Sequence, residues 1–282
     1  MSDWWDGVAR SELCTFDVSN GETEVVLATT AHIEAPNWTP DGASLIVNGQ
    51  GRLWRVPLAA PDLHPIDTGF ATRLNNDHGL SPDGRSIFIS DKTETGESCI
   101  YRIPEGGGTP QRLTDAVPSW WHGVSPDGAR IVYTAMRNHA FVIATSQTDG
   151  QEEVIVAEGF DHLDGPDYTR DGRHIWFNAE TSGTSDLWRT SNVGGAPKRM
   201  TDDDRVNWFP HPSPDGRHVV YLAYPPGTRG HPGGLQVELR IMPQAGGTPR
   251  TLLELFGGQG TINVPSWSPD ARRFAFVRYV PQ

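Results

Sequence analysis

Hydrophobic and polar positions alternate in a short rhythm along this chain. Runs of about five residues, rich in β-branched and aromatic side chains, are separated by clusters of Gly, Pro, Asp and Ser. Ser86–Ser90, Arg130–Thr134, His174–Asn178 and His218–Leu222 are such runs. Their length, composition and turn-forming flanks predict strands. Helical periodicity is hard to find anywhere.

The punctuation before these runs repeats. Ser125-Pro126-Asp127-Gly128 recurs as Thr39-Pro40-Asp41-Gly42, Ser81-Pro82-Asp83-Gly84, Thr169-Arg170-Asp171-Gly172 and Ser213-Pro214-Asp215-Gly216, with a decayed Ser268-Pro269-Asp270-Ala271. Pro presets φ for a turn, Asp accepts a hydrogen bond from the backbone beyond it, and Gly takes positive φ cheaply. Each copy therefore predicts a tight corner between two strands. From Asp41 to Asp83 is 42 residues, then 44, 44 and 44, then 55 to Asp270. A period of this size marks an array of supersecondary units. Two more runs follow in each unit, such as Cys99–Ile103 and Pro110–Leu113. Four strands per unit is the pattern of a propeller blade.

The expected fold is all-β: a six-bladed β-propeller of four-stranded antiparallel blades, one domain over residues 1–282. Blade 1 uses Ile33–Trp38, Ser44–Asn48, Leu53–Pro57 and His64–Asp67. Blades 2 to 5 follow at about Asn75–Thr114, Ser119–Ala157, Leu163–Thr201 and Asn207–Leu253. Leu13–Val18 and Glu24–Leu27 supply the outer strands of blade 6, and Asn263–Trp267 and Arg273–Arg278 its inner strands. Shared closure of this kind removes the open edges of an unclosed array. Residues 1–10 read as a peripheral tail, with Trp4 and Trp5 packed outside a blade. The wide spacing before Asp270 has two sources, the Gly/Pro-rich insert Tyr224–Gly234 and the connector Glu254–Ile262.

Totals narrow the function classes. Gly and Pro are abundant, at 31 and 23, as many short strands require. Net charge is −12 with no basic block, which argues against a nucleic-acid binder and disfavours anionic membranes. Cys14 and Cys99 fall in different repeats and read as reduced core thiols. The start shows no export signal and no run approaches a membrane span, so a cytoplasmic location is expected if Met1 is the native start, a periplasmic one if a signal was trimmed.

The repeated Ser-Pro-Asp-Gly corner followed by an apolar strand resembles the TolB-type β-propeller repeat over about residues 10 to 280. The resemblance implies the fold and leaves function open, since such propellers include scaffolds, peptidase accessory domains and lyases. No G-x-S-x-G is present and no hydrolase domain follows, so a peptidase is a poor reading.

In a propeller, the connectors entering the innermost strands gather at one mouth. Turns between second and third strands open on the same face, and the Asp-Gly corners lie opposite. The segments before the corners are rich in chemistry: Asn75-Asn76-Asp77-His78, Trp120-Trp121-His122, Asp161-His162-Leu163-Asp164, Asp167, Asn207-Trp208-Phe209-Pro210-His211, Gln259 and Asn263, with His32 and Glu34 from blade 1. His78, His122 and His211, with Gln259 or an Asp completing the set, are candidate ligands for a divalent ion. Nitrogen ligands favour Mn, Fe, Ni or Zn, and a carboxylate-led set of Asp77, Asp164 and Asp167 suits Ca or Mg. The same groups equally suit hydrogen bonding to water in a wet channel.

The axial His/Gln arrangement resembles that of the oligogalacturonate lyases, TolB-like propellers whose central Mn²⁺ is held by His side chains and a Gln. His78, His122, His211 and Gln259 are the matching positions. The resemblance implies a metal-dependent lyase acting on a uronate or keto-sugar by β-elimination. Those enzymes have seven blades against the six counted here, and their paired-His segment has no counterpart. In this reading Arg73, His162 and Arg205 are candidates for base or anion clamp. Asp77, Trp120, Trp121, Asp164, Asp167, Trp208 and Asn263 would contact a small carbohydrate or sugar-acid ligand, with Arg229 and His231 of the insert overhanging the mouth. The rival reading is a non-catalytic binding or scaffold propeller with a water-filled channel or a structural metal, and a protein partner on its loops.

Overall fold

The computed structural model describes residues 3–282, with side chains described from Trp5 onward. A short 3-10 turn, Asp3–Gly7, leads into β1 (Val8–Asp17) and β2 (Thr23–Thr29). Blade 1 comprises β3 (Glu34–Trp38), β4 (Ser44–Gly49), β5 (Arg52–Pro57) and β6 (His64–Ile66). Blade 2 comprises β7 (Leu74–Leu80), β8 (Ser86–Asp91), β9 (Cys99–Pro104) and β10 (Gln111–Arg112). In blade 3 lie β11 (Ser119–Val124), β12 (Arg130–Arg137), β13 (Ala140–Gln147) and β14 (Val154–Ala157). Blade 4 follows with β15 (His162–Tyr168), β16 (His174–Thr181), β17 (Thr184–Ser191) and β18 (Lys198–Arg199). Blade 5 has β19 (Val206–Pro212), β20 (His218–Tyr224), β21 (Gly233–Pro243) and β22 (Arg250–Gly258), and β23 (Arg273–Pro281) ends the chain.

The ring closes as the sequence predicts. Blade 6 has the order β2-β1-β23, with β1 antiparallel to β23 from Arg10↔Val280 to Asp17↔Arg273. Its innermost segment is less regular than expected. Within Asn263–Trp267 only Trp267 forms a bridge, to Phe274. Pro265 has no N–H to donate, and the Thr261 and Asn263 side chains turn back to accept from the Gly258 and Gly260 N–H groups. The expected connector after Leu253 is also shorter, because β22 stays paired with the long β21 out to Gly233↔Gly258.

The six corners share one hydrogen-bond circuit. In each, the Ser or Thr hydroxyl donates to the Asp carboxylate, as Ser125 Oγ does to Asp127 Oδ1 at 2.5 Å and Thr39 Oγ1 to Asp41 Oδ1 at 2.6 Å. The same Asp oxygen accepts the N–H two residues on, and the hydroxyl accepts the N–H five residues on, here Ala129 and Arg130. Ala271 keeps the circuit in the decayed copy by adopting φ of 58° where the others have Gly. Each corner glycine of blades 1 to 4 also faces the corner proline of the preceding blade. A Cβ on Gly42, Gly84, Gly128 or Gly172 would lie 4.0, 3.5, 3.8 or 3.5 Å from Pro269, Pro40, Pro82 or Pro126.

Between blades the core is apolar. Trp121 stacks parallel to Phe88, with centroids 6.0 Å apart, and the outer edge of its indole abuts Gly79. Cys14 and Cys99 are buried free thiols, and burial pushes the Cys14 thiol up to about 12. Each innermost strand from β3 to β19 slips register at the same depth, between Glu34/Asn37, Leu74/His78, Trp121/Gly123, Asp164/Asp167 and Trp208/His211. Ala35, Gly165 and Phe209 sit in these bulges at φ of 54°, 58° and 54°. Bulges bend a strand and re-aim its side chains. Here they turn the polar segments before the corners toward the axis. Among the described residues no helix is long and apolar enough to cross a membrane.

Candidate binding site at the channel mouth

Opposite the corners, the channel widens into two joined chambers. The outer one is about 1100 Å³ and is walled by residues from blades 1 to 5, among them Glu34, Asn48, Leu74, Phe141, Asp161, Glu180 and Trp208, with Trp5 and Gln259 from the segments flanking blade 6. The inner one is about 290 Å³ and is lined by Asn75, Asn76, Asp77, Trp120, Thr134, Asp164, Phe209 and Asn263. Phe141, His162, His231 and Gln259 line both. They form the waist between the chambers.

The waist is tied together by the blade 5 insert. Pro232 O accepts from Tyr224 Oη at 3.0 Å and from Gln259 N–H at 3.2 Å. These bonds drop His231 into the channel, where its ring packs on Trp208 (centroids 4.4 Å) and Phe209 (5.2 Å). His231 Nδ1 hydrogen-bonds Gln259 Oε1, which also accepts from Asn263 Nδ2 at 3.2 Å. His231 Nε2 is 3.7 Å from Asp164 Oδ2. Burial lowers the His231 pKa, against the pull of Asp164.

The floor is a set of carboxyl groups in unequal surroundings. Asp164 Oδ1 lies 2.9 Å from His122 Nε2 and accepts from Thr134 Oγ1 (3.0 Å) and Gly165 N–H (2.9 Å). Burial works against its ionised form, but the charge and hydrogen bond of His122, with His231 and His162 beyond, hold it well below the usual carboxylate range. His122 is raised in turn, since Asp77 and Asp164 outweigh its burial. Asp77 has an Asn75 amide as partner, and burial, reinforced by Asp164, pushes it up to about 6 despite His122. Glu34 is pushed up to about 7 by burial and by Asp77.

The expected metal quartet is not brought together. His78 is fully buried, its Nδ1 3.2 Å from Asn76 O and its Nε2 3.4 Å from Ile46 O. His211 lies with Nδ1 3.2 Å from Asp167 Oδ2 and Nε2 2.8 Å from Ile262 O. Both rings fasten neighbouring strands, and Asp167 serves His211 rather than either chamber. Gln259 is engaged by His231 and Asn263. Among the described residues no group of three or more His, Cys, Asp or Glu is arranged to hold a metal ion. The His78–His122–His211–Gln259 set therefore does not fit one.

The other expected site residues divide. Asp77, Trp120, His162, Asp164, Trp208 and Asn263 line the chambers. Trp121 instead fills the gap between blades 2 and 3, where Gly79 leaves room for its ring. Arg73 stands in a side recess with Asp91 and Lys92. Arg205 is drawn outward to Glu238 Oε1 at 2.6 Å. Trp5 is no peripheral residue, since its ring stacks on His32 at 4.2 Å in the outer wall; the Trp4 side chain lies outside the described residues. Sequence reasoning missed Asn48, Phe141 and Glu180 as wall residues. All three flank second-to-third-strand turns, which were expected on this face. Among the described residues no Lys or Arg side chain lines either chamber.

No family profile matches the chain. It is 46% identical over 276 residues to the uncharacterised protein Atu1656 of Agrobacterium fabrum, covering 98% of this chain and 94% of that one. A Francisella tularensis Tol-Pal system protein TolB is 25% identical over 273 residues, and the chain spans only 59% of its length. Among solved structures, one from Agrobacterium tumefaciens, provisionally described as TolB, superposes with a TM-score of 0.95 at 46% identity, over 97% of this chain and 99% of that one. TolB from Acinetobacter baumannii gives 0.69 at 19% identity, over 89% of this chain and 65% of that one. An oligogalacturonate lyase in complex with manganese gives 0.59 at 14%, over 88% and 75%, a likeness of fold alone. With its corner hydrogen-bond circuit present in six blades and near-complete overlap with the Agrobacterium propeller, the chain belongs to the TolB-like β-propeller family.

Proposed function

We propose that this protein is a non-catalytic binding propeller of the TolB type, which receives a ligand in the two chambers of its channel mouth. The observation that carries this reading is the cavity of about 1100 Å³ whose wall draws on blades 1 to 5. A large concave site with aromatic walls and a few convergent polar groups is the usual form of a ligand pocket. Elimination on a sugar acid would need a cation to hold the substrate carboxylate. Arg73 and Arg205, the candidates for that clamp, stand outside both chambers. Two of the three candidate metal-binding imidazoles are committed to backbone and carboxylate oxygens.

Two measurements test this. Incubation with polygalacturonate and Mn²⁺ should release no unsaturated product above the protein-free blank. A thermal-shift panel of neutral disaccharides, amines and organic acids should contain compounds that raise the wild-type Tm and do so less for Phe141→Ala, since Phe141 lines both chambers. Chelator-sensitive formation of unsaturated product overturns the reading, as does a panel in which no compound shifts the wild type.

A further inference from the structure

The chambers differ from a generic polar pocket in the sign of their charge. Glu34, from blade 1, lines the outer chamber, and Asp77 and Asp164, from blades 2 and 4, line the inner one that joins it; Asp77 raises the pKa of Glu34 and Asp164 that of Asp77. Buried carboxylates are costly unless paired. Asp164 has His122 and His231 as partners. Asp77 has an Asn75 amide and shares the charge of His122 with Asp164, and Glu34 has His32 Nε2 at 3.4 Å, an imidazole whose pKa burial lowers to about 4. No Lys or Arg side chain among the described residues reaches the walls to balance them.

A second observation is independent of the carboxylates. Asn48 is 2% exposed and forms part of the outer wall. Its Nδ2 donates to Asn75 O at 2.9 Å, but its Oδ1 has no hydrogen-bond partner. A buried acceptor left unsatisfied costs about 1–3 kcal/mol, and a donor-bearing ligand would satisfy it. The half-buried Phe141 ring lines the same space, and an aromatic ring attracts cations as well as apolar bodies.

We propose that the mouth binds a small amine-bearing ligand, its ammonium group received by the Glu34, Asp77 and Asp164 carboxylates and its body held against Phe141. This rests on the binding reading above and reverses the charge of the sugar-acid ligand expected from sequence. The overall charge of −12 draws such a ligand in.

The test is calorimetric titration with three disaccharides of one size: a β-1,4-linked glucosamine dimer, its di-N-acetylated form and digalacturonate. The amine should bind at least tenfold more tightly than the acetylated form, with digalacturonate weakest. The Glu34→Gln/Asp77→Asn double variant should lose that tenfold preference while keeping its fold, because it removes buried charge. Amine binding by the wild type should also release protons, seen as an enthalpy that depends on buffer ionisation. Equal affinity for amine and acetylated dimer overturns the inference and leaves the binding reading standing. Tighter binding of digalacturonate, or no binding of the amine, also overturns it; the thermal-shift panel then decides the binding reading separately.

Discussion

His122 Nε2 lies 2.9 Å from Asp164 Oδ1, joining blade 3 to blade 4 under the inner chamber. The pair shifts both groups toward their charged forms. His122, with its pKa raised, contributes stability that is full below the ordinary His value near 6.5 and fades as pH rises through the raised one. Asp164, with its pKa lowered, contributes above the ordinary Asp value and is lost only in strong acid. Asp164→Asn should therefore cost on the order of 3 kcal/mol near pH 5.5 and less at pH 8. An imidazole titration followed by NMR should show His122 shifted down in the variant. An unmoved titration would contradict the pairing.

Glu34 and Asp77 work in the opposite direction. Their folded pKa values, about 7 and about 6, exceed the ordinary carboxylate values. Between about pH 4 and 7 the folded chain holds protons that the unfolded chain has released, so these groups lower stability as pH rises. Glu34→Gln should raise stability by roughly 2–3 kcal/mol at pH 8 and leave it nearly unchanged at pH 4. Urea midpoints at the two pH values decide this, and equal gains at both would refute the assignment.

Gly79 is a packing requirement rather than a flexible point. A Cβ there would lie 2.1 Å from Trp121 Cη2 and 2.6 Å from Cζ3. Gly79→Ala should cost about 2 kcal/mol or more through overpacking between blades 2 and 3. The smaller side chain of Trp121→Leu should absorb part of that cost, so the double variant should be less destabilised than the sum of the singles. Strict additivity in denaturant unfolding would argue against the contact.

Each corner should behave as a unit. Ser213 is 1% exposed, donates to Asp215 Oδ1 at 2.5 Å and accepts from His218 N–H at 3.0 Å. Ser213→Ala should cost about 1–2 kcal/mol. Hydroxyl hydrogen bonds hold Asp41, Asp83, Asp127, Asp171 and Asp270 below the usual Asp value. Their contribution is present above that value and fades as pH falls through the lowered ones. Wild-type stability should thus drop below about pH 4, and Ser213→Ala should drop less steeply.

The fold was legible because its determinants are local. Ser-Pro-Asp-Gly specifies a corner without help from distant residues, and its spacing gives the blade count. The site was legible only as a neighbourhood. Offset from the corner placed Asp77, Asp164, His162 and Gln259 near the axis, but it could not say which way each side chain turns. The bulges decide that, and they rest on non-local packing such as Asn178 Oδ1 accepting the Phe209 N–H. His78 and His122 share an offset of five residues from their Asp, yet one binds backbone carbonyls and the other faces Asp164. The partners that make the difference lie in other blades, where a repeat read along one chain does not reach.

The approach of the corner glycines of blades 1 to 4 to the preceding blade's proline divides labour between the two faces of the wheel. Blade pitch is gauged on the corner side, by Gly84 on Pro40, Gly128 on Pro82 and Gly172 on Pro126, with Gly42 on Pro269 spanning the closure. The opposite side is joined instead by buried side-chain bonds such as His122 to Asp164 and Asn48 to Asn75 O. Its loops can lengthen, as Tyr224–Gly234 has, or change sign and shape, without altering the angle between blades. The corner side acts as a chuck, and the mouth is the interchangeable bit it holds.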